Sequence, residues 1–244
     1  MLNKNMHLVK DLYSDGIKES PTRVGYGEGL VEMGKKNPNI VVLCGDLTDS
    51  TKTRMFQQEF PERFYEMGVS EQNMVAAACG LSLVGKIPYV ATYAAFVPGR
   101  SFDQIRISAG YNHANVKLSG AHSGISVGPD GATHQMMEDL SMMRTLPNMT
   151  VIAPCDHEQA RKATIAAGET KGPVYLRFGR ENVPMITTAS TPFEVGKGNL
   201  LRDGSDVAII ACGPLVYEAL MAARELENHS VSAMVIDMHT IKPL

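Results

Sequence analysis

This sequence predicts an α/β fold, a doubly wound parallel sheet followed by an incomplete second α/β domain. Two observations point that way. From about Pro21 onward, amphipathic helical patterns alternate with short apolar, β-branched runs, as in a parallel sheet covered by helices on both faces. The polar, chemically capable residues fall just after those apolar runs, which in an open α/β sheet is the edge where ligands bind. The 244 residues, 44% hydrophobic and 20% charged, suffice for one full domain and part of another.

Residues 1–19 read as an N-terminal extension and residues 20–188 as the first domain. Ser20-Pro21 reads as an N-cap followed by proline at the first helical position, opening a helix that runs to about Lys36. The run Asn39 to Gly45 is the first strand, and Phe64 to Met67 is a weaker one. Ser70 caps the next predicted helix, whose apolar face of Met74, Ala77, Ala78 and Leu81 runs toward Gly85. Strands follow at Ile87 to Tyr93, Ala114 to Ala121, Thr150 to Cys155 and Pro173 to Phe178, with a helix from Asp156 to about Glu169. Periodicity is lost across Thr187 to Pro192, which marks a domain boundary and leaves residues 189–244 as the second domain. There a hairpin-like stretch precedes a strand at Val207 to Ala211, a helix at Pro214 to Asn228 and a strand at Val231 to Asp237. Ending on the turn-like Thr240 to Leu244, this unit reads as too short to close its own sheet.

Composition excludes several function classes. A net charge of -3, with no Lys or Arg cluster interleaved with aromatic residues, supplies no field for a nucleic-acid backbone. The first ten residues lack the apolar core of a secretion signal, and no apolar run approaches the ~18 residues that span a bilayer. A soluble, cytoplasmic protein without a membrane segment is expected. Cys44, Cys79, Cys155 and Cys212 lie far apart inside apolar segments, without the paired spacing of a zinc or redox site, and read as small buried hydrophobes.

After the successive strands come Gly45 to Ser50, Gly68 to Glu71, Thr92 to Phe96, His122 to His134 and Arg177 to Asn182. Taken singly, several of these residues have plain structural readings. Asp46 suits an Asx turn, Glu71 complements a helix dipole, Tyr93 and Phe96 suit a core, and Arg180 suits either a solvated charge or a phosphate clamp. His122 and His134 flank a glycine-rich loop too long for a tight turn. With Asp130 between them, the loop fits acid/base or hydroxyl-binding work better than a metal site, for want of a third ligand close in sequence.

Together these motifs resemble the transketolases, over nearly the whole chain from Thr22-Arg23 to the final strand. The most specific stretch is His122 to His134 with its Gly-Pro-Asp-Gly-Ala-Thr-His ending. It is supported in order by Gly45-Asp46-Leu47-Thr48, Gly68-Val69-Ser70-Glu71-Gln72-Asn73-Met74, Thr92 to Phe96, Phe102-Asp103-Gln104-Ile105-Arg106 and Arg180-Glu181-Asn182.

The resemblance implies a pyrimidine-binding domain for thiamine diphosphate. Glu71 matches the family's glutamate that hydrogen-bonds N1′ of the aminopyrimidine, where a carboxyl is needed to share a proton with that nitrogen. Tyr93 and Phe96 match the aromatic pair that packs on the ring, although the first is more often phenylalanine. Asp46, followed by Leu47, matches the aspartate near the cofactor and the dimer contact. Arg23, Ser50 and Arg180 match the residues that hold the substrate phosphate, and Asp130 resembles the carboxylate that recognises a substrate hydroxyl. His122 and His134 resemble the pair that hydrogen-bonds the ketose and moves protons as the carbon–carbon bond breaks. The implied reaction is reversible transfer of a two-carbon ketol unit from a ketose phosphate to an aldose phosphate, a step of the pentose phosphate pathway.

One departure is instructive. Full-length relatives carry a Gly-Asp-Gly…Asn signature that binds the diphosphate and magnesium or calcium, and here no Gly-Asp-Gly occurs, the similar Arg202-Asp203-Gly204 lying in the second unit. The sequence therefore resembles the C-terminal polypeptide of a split transketolase, whose N-terminal subunit supplies the metal site within an oligomer, expected to be a heterotetramer. No metal ligand is assigned to this chain. Two alternatives remain open: an enzyme similar to 1-deoxyxylulose-5-phosphate synthase, which differs at His122, and a non-catalytic homologue acting as a binding module.

Overall fold

The computed structural model describes residues 1–244 and shows a seven-stranded sheet with helices on both faces, a three-stranded sheet and a short two-stranded ladder. Its first elements are β1 (Glu19–Ser20), α1 (Thr22–Lys36), β2 (Ile40–Cys44), α2 (Arg54–Glu59), β3 (Phe64–Glu66), α3 (Glu71–Leu83) and β4 (Ile87–Tyr93). After wide helical turns around the three-residue α4 (Phe102–Gln104) come β5 (Lys117–Ala121), α5 (Asp139–Thr145), β6 (Thr150–Ile152), α6 (His157–Glu169), β7 (Val174–Arg177) and β8 (Val183–Pro184). The last part holds β9 (Asn199–Arg202), β10 (Val207–Ala211), α7 (Leu215–Glu227), β11 (Ala233–Asp237) and β12 (Thr240–Lys242).

The main sheet has the order β12-β6-β7-β5-β4-β2-β3, and every pairing from β6 to β3 is parallel. Because β3 and β4 flank β2 on opposite sides, the winding reverses there and a crevice opens beyond the carboxyl ends of β2 and β4. Burial on both faces explains why the strands are apolar without alternation. Ile40, Val42 and Cys44 of β2 share a cluster with Tyr26 and Leu30 of α1 and Ala160 and Ala163 of α6. Val41 and Leu43 share another with Met74, Val75 and Ala78 of α3. Each fully buried aliphatic side chain contributes roughly 1.5–3 kcal/mol, so the strand pins helices on both sides. Helices α1 and α6 also approach closely: a Cβ at Gly29 would lie 2.7 Å from Thr164 Cβ and 2.9 Å from the Arg161 carbonyl oxygen. That close crossing fixes the start of α1, and with it Arg23.

Several local expectations are corrected. Ser20 does not cap α1; it lies in β1, paired with β8, and its hydroxyl meets His157 Nδ1 at 2.8 Å, which leaves Pro21 at the cap. Ser70 occupies the cap position of α3, but its hydroxyl donates to the Met67 carbonyl at 2.7 Å instead of capping. Asp156 does cap α6, accepting from the Gln159 N–H at 2.8 Å. The stretch before β10 is no hairpin, since β9 pairs antiparallel with β11 and β10 pairs parallel with β11. Thr240–Lys242, expected as a turn, forms β12 and adds an antiparallel edge to the otherwise parallel main sheet. The open edge of β6 offers backbone groups to pair, and Lys242 Nζ donates to the Arg144 carbonyl at 3.0 Å.

The N-terminal segment is tied down as well: Leu12 packs with Leu201, Val216 and Leu220, and Leu2 bridges Arg202. Cys44, Cys79 and Cys155 are buried, whereas Cys212 is only half-buried. No helix is long and apolar enough to cross a membrane.

Candidate functional site

The loops beyond β2, β3, β4, β5 and β7 gather at one edge of the sheet. Glu66, at the end of β3, ties two of them together: its carboxylate accepts from Asp46 N–H at 2.6 Å, Gly68 N–H at 3.1 Å and the Thr48 hydroxyl at 2.9 Å. Asp46 takes a left-handed φ of 58° there and stays exposed. Leu47 is half-buried against the Tyr26 and Phe56 cluster. Met74, Val75 and Ala78 draw α3 onto the sheet, and its first residue, Glu71, is thereby buried to 2% exposure.

An aromatic group is joined to that carboxylate through Arg100, which bonds Glu71 and lies over the Phe96 ring. The Tyr93 ring, at the end of β4, stacks on His122 with centroids 3.9 Å apart and lies near-parallel to Phe96 at 6.0 Å. His134 meets Tyr93 and Phe96 edge-on, at 6.0 Å and 5.4 Å. The histidine loop returns on itself through paired backbone hydrogen bonds between Gly124 and Met136. Five of the residues singled out from sequence, Glu71, Tyr93, Phe96, His122 and His134, are thus brought together.

Charge shapes the rim. His122 is buried, takes a left-handed φ of 54°, and its Nδ1 has no hydrogen-bond partner. Burial, then the nearby charges of Arg23 and Arg180, push its pKa down to about 4, so the imidazole is neutral at pH 7. Arg23 Nη1 donates to the Ser50 carbonyl at 2.8 Å, so Ser50 meets it through the backbone, while Arg23 Nε is buried without a partner. Burial and the neighbouring Arg180 lower the Arg23 pKa. Arg180 pairs with Glu181 at 2.9 Å and packs against Gly128, whose φ of 71° and lack of a side chain admit it. Asp130 is exposed on the same turn. No group of three or more His, Cys, Asp or Glu residues is arranged to hold a metal ion.

Three contributions escaped the sequence reading. Arg100 Nη1 donates to Glu71 Oε2 at 2.9 Å. Glu66 organises two loops, and Asp139 beneath the histidine loop accepts from Tyr175 and Arg177. Nothing in their spacing links these residues, because each pairing joins segments that only the sheet order makes neighbours.

Two family profiles match successive parts of the chain: "Transketolase, pyrimidine binding domain" over residues 18–185, and "Transketolase, C-terminal domain" over residues 196–244. The chain belongs to the transketolase family. A solved transketolase structure described as "Split gene transketolase, inactive beta4 tetramer" is 47% identical, with a TM-score of 0.84 over 91% of this chain and 72% of that one. A Methanocaldococcus jannaschii protein provisionally described as a transketolase C-terminal section is 47% identical over 224 residues, 91% of this chain and 71% of its own length. A 6-deoxy-6-sulfo-D-fructose transketolase subunit from Clostridium sp. (strain MSTE9) is 40% identical over 227 residues, 93% of this chain and 70% of its own length.

Proposed function

We propose that this chain forms the ring-binding half of a thiamine-diphosphate-dependent ketol-transfer site, and that a separate N-terminal polypeptide completes it. The observation that carries this reading is the buried Glu71 carboxylate at the crevice edge, one guanidinium away from the Phe96 ring and its Tyr93 and His122 neighbours. A buried carboxyl next to flat apolar faces suits a ring that stacks and offers one nitrogen to hydrogen-bond. When bound, the cofactor supplies the carbon nucleophile and electron sink of the reaction.

The chain's own residues would then divide the work. Glu71 holds the proton shared with the ring nitrogen, and Tyr93 and Phe96 orient the ring. His122, neutral with an unpartnered Nδ1, accepts from or donates to a sugar hydroxyl, and His134 and Asp130 do the same from the loop. Arg23 and Arg180 form a like-charge pair that an anion relieves, which suits the sugar phosphate; Ser50 fixes Arg23 from behind. Asp46 and Leu47 line the approach from β2. The diphosphate and its magnesium or calcium are assigned to the partner. The split-gene relative, described as an inactive β4 tetramer, and the Clostridium relative, described as a subunit, both support a chain that works within an assembly.

The test is ketol transfer between sugar phosphates by the chain reconstituted with an N-terminal polypeptide. Glu71→Ala should lower kcat by about 100-fold or more, the usual scale of acid–base assistance. Undiminished transfer in that variant removes Glu71 from its role. Consumption of pyruvate without ketol transfer favours the 1-deoxyxylulose-5-phosphate synthase alternative, and a parent that binds sugar phosphates without turnover favours a binding module.

A further inference from the structure

Arg100 has no role in the reading above, yet it stands in the middle of the site. It follows Gly99 in the turn after β4, and its Cζ lies 4.3 Å over the Phe96 ring while Nη1 donates to Glu71 Oε2 at 2.9 Å. Its side chain is 45% exposed, whereas Glu71 is 2% exposed, so the cation reaches in from solvent to a carboxylate held by the protein interior.

We propose that Arg100 is the resident occupant of the ring subsite, and that an aminopyrimidine enters only as this guanidinium leaves. A guanidinium is planar and delocalised, and its donors point along its own plane. It therefore offers Glu71 an in-plane N–H and Phe96 a flat cationic face, the same two contacts that a protonated aminopyrimidine offers. Two flat groups cannot share one ring face and one carboxylate oxygen.

The hold on Arg100 is also of the exchangeable kind. Arg177, by contrast, is 21% exposed and bonded to the fully buried Asp139. Arg100 makes its single hydrogen bond with nearly half the side chain in water, where ion pairs are weak. Leaving Glu71 buried and unpartnered is nonetheless costly, so departure of Arg100 is coupled to arrival of another donor.

This inference rests on the assignment of Glu71 and Phe96 to the cofactor ring, and the experiment separates the two. The full chain is titrated with thiamine, which carries the ring but not the diphosphate, for wild type, Arg100→Ala, Glu71→Ala and the double variant, with binding read by NMR. Arg100→Ala should bind thiamine about tenfold more tightly, the combined worth of one exposed cation–π contact and one half-exposed ion pair. That gain should vanish in the double variant. A gain that persists there supports Arg100 as the occupant but removes Glu71 as the ring's anchor. Binding by Arg100→Ala that is no tighter than wild type, or undetectable, overturns the proposal; Glu71→Ala then shows whether the ring assignment survives, by weakening wild-type binding or leaving it unchanged.

Discussion

Replacing Asp139 with alanine should destabilise the chain by about 3 kcal/mol and loosen the histidine loop. Asp139 opens α5 and is fully buried, and its Oδ2 accepts from both Arg177 Nε and Tyr175 Oη, each at 2.9 Å. Breaking a buried ion pair costs about 3–5 kcal/mol, because the surviving charge is left in a medium of low dielectric. Arg177, 21% exposed, regains some water, which places the cost at the low end. For a chain of this size the melting temperature should drop by roughly 6–12 °C. Asparagine keeps an acceptor for Tyr175 but not the charge, and should cost about half as much. Arg177 Nη2 also lies 3.2 Å from where a Cβ on Gly124 would stand, directly under the hydrogen bonds that close the loop from His122 to His134. Amides from Gly124 to Met136 should therefore exchange faster with solvent. Urea denaturation and hydrogen exchange measure both effects. A cost below about 1 kcal/mol with unchanged protection would refute a charged tie beneath the loop.

Three further outcomes follow from the same structure. An NMR titration should place His122 near pH 4; since the folded value lies below the ordinary 6.5, the His122 contribution to stability is lost as pH drops from 6.5 through about 4, and a midpoint near 6.5 contradicts the buried, cation-flanked setting. Burial raises the fully buried Asp237 from 3.8 to about 7, so the native state keeps a proton that the unfolded chain loses and the Asp237 contribution to stability, opposite in sign to that of His122, falls as pH rises from about 4 to 7. The swing is on the order of 4 kcal/mol at 1.36 kcal/mol per pH unit, and Asp237→Asn should flatten it in denaturation curves; an unchanged slope assigns it to another group. Calorimetry of the isolated chain should show only weak binding of thiamine diphosphate, no tighter than that of thiamine, because the metal and diphosphate contacts are assigned to the partner, and tight binding would contradict a divided site.

Much of the molecule is legible locally. The apolar runs of β2, β4, β5 and β7 and the capping Asp156 announce themselves within a few residues, since strand and helix periodicities are short-range. Glu71, Tyr93, His122 and the loop to His134 could be placed at one edge because loops that follow parallel strands converge there. Less was visible where a local signal competed with a distant one. Thr240–Lys242, with Pro243 next, reads as a turn but pairs with β6, about 90 residues earlier, whose edge was open. Ser20 looks like a cap but is claimed by His157.

By itself the sequence determined the alternation of strands and helices and the order of the loops that carry chemistry, because both are written in stretches of a few residues. Only the tertiary structure decided which charges meet. Arg100 faces Glu71 from 29 residues away, Arg23 and Arg180 converge on His122, and Glu66 binds two loops at once. Such pairings depend on the order in which strands stack, and that order is settled by the burial of both sheet faces together, a property no short stretch of chain contains.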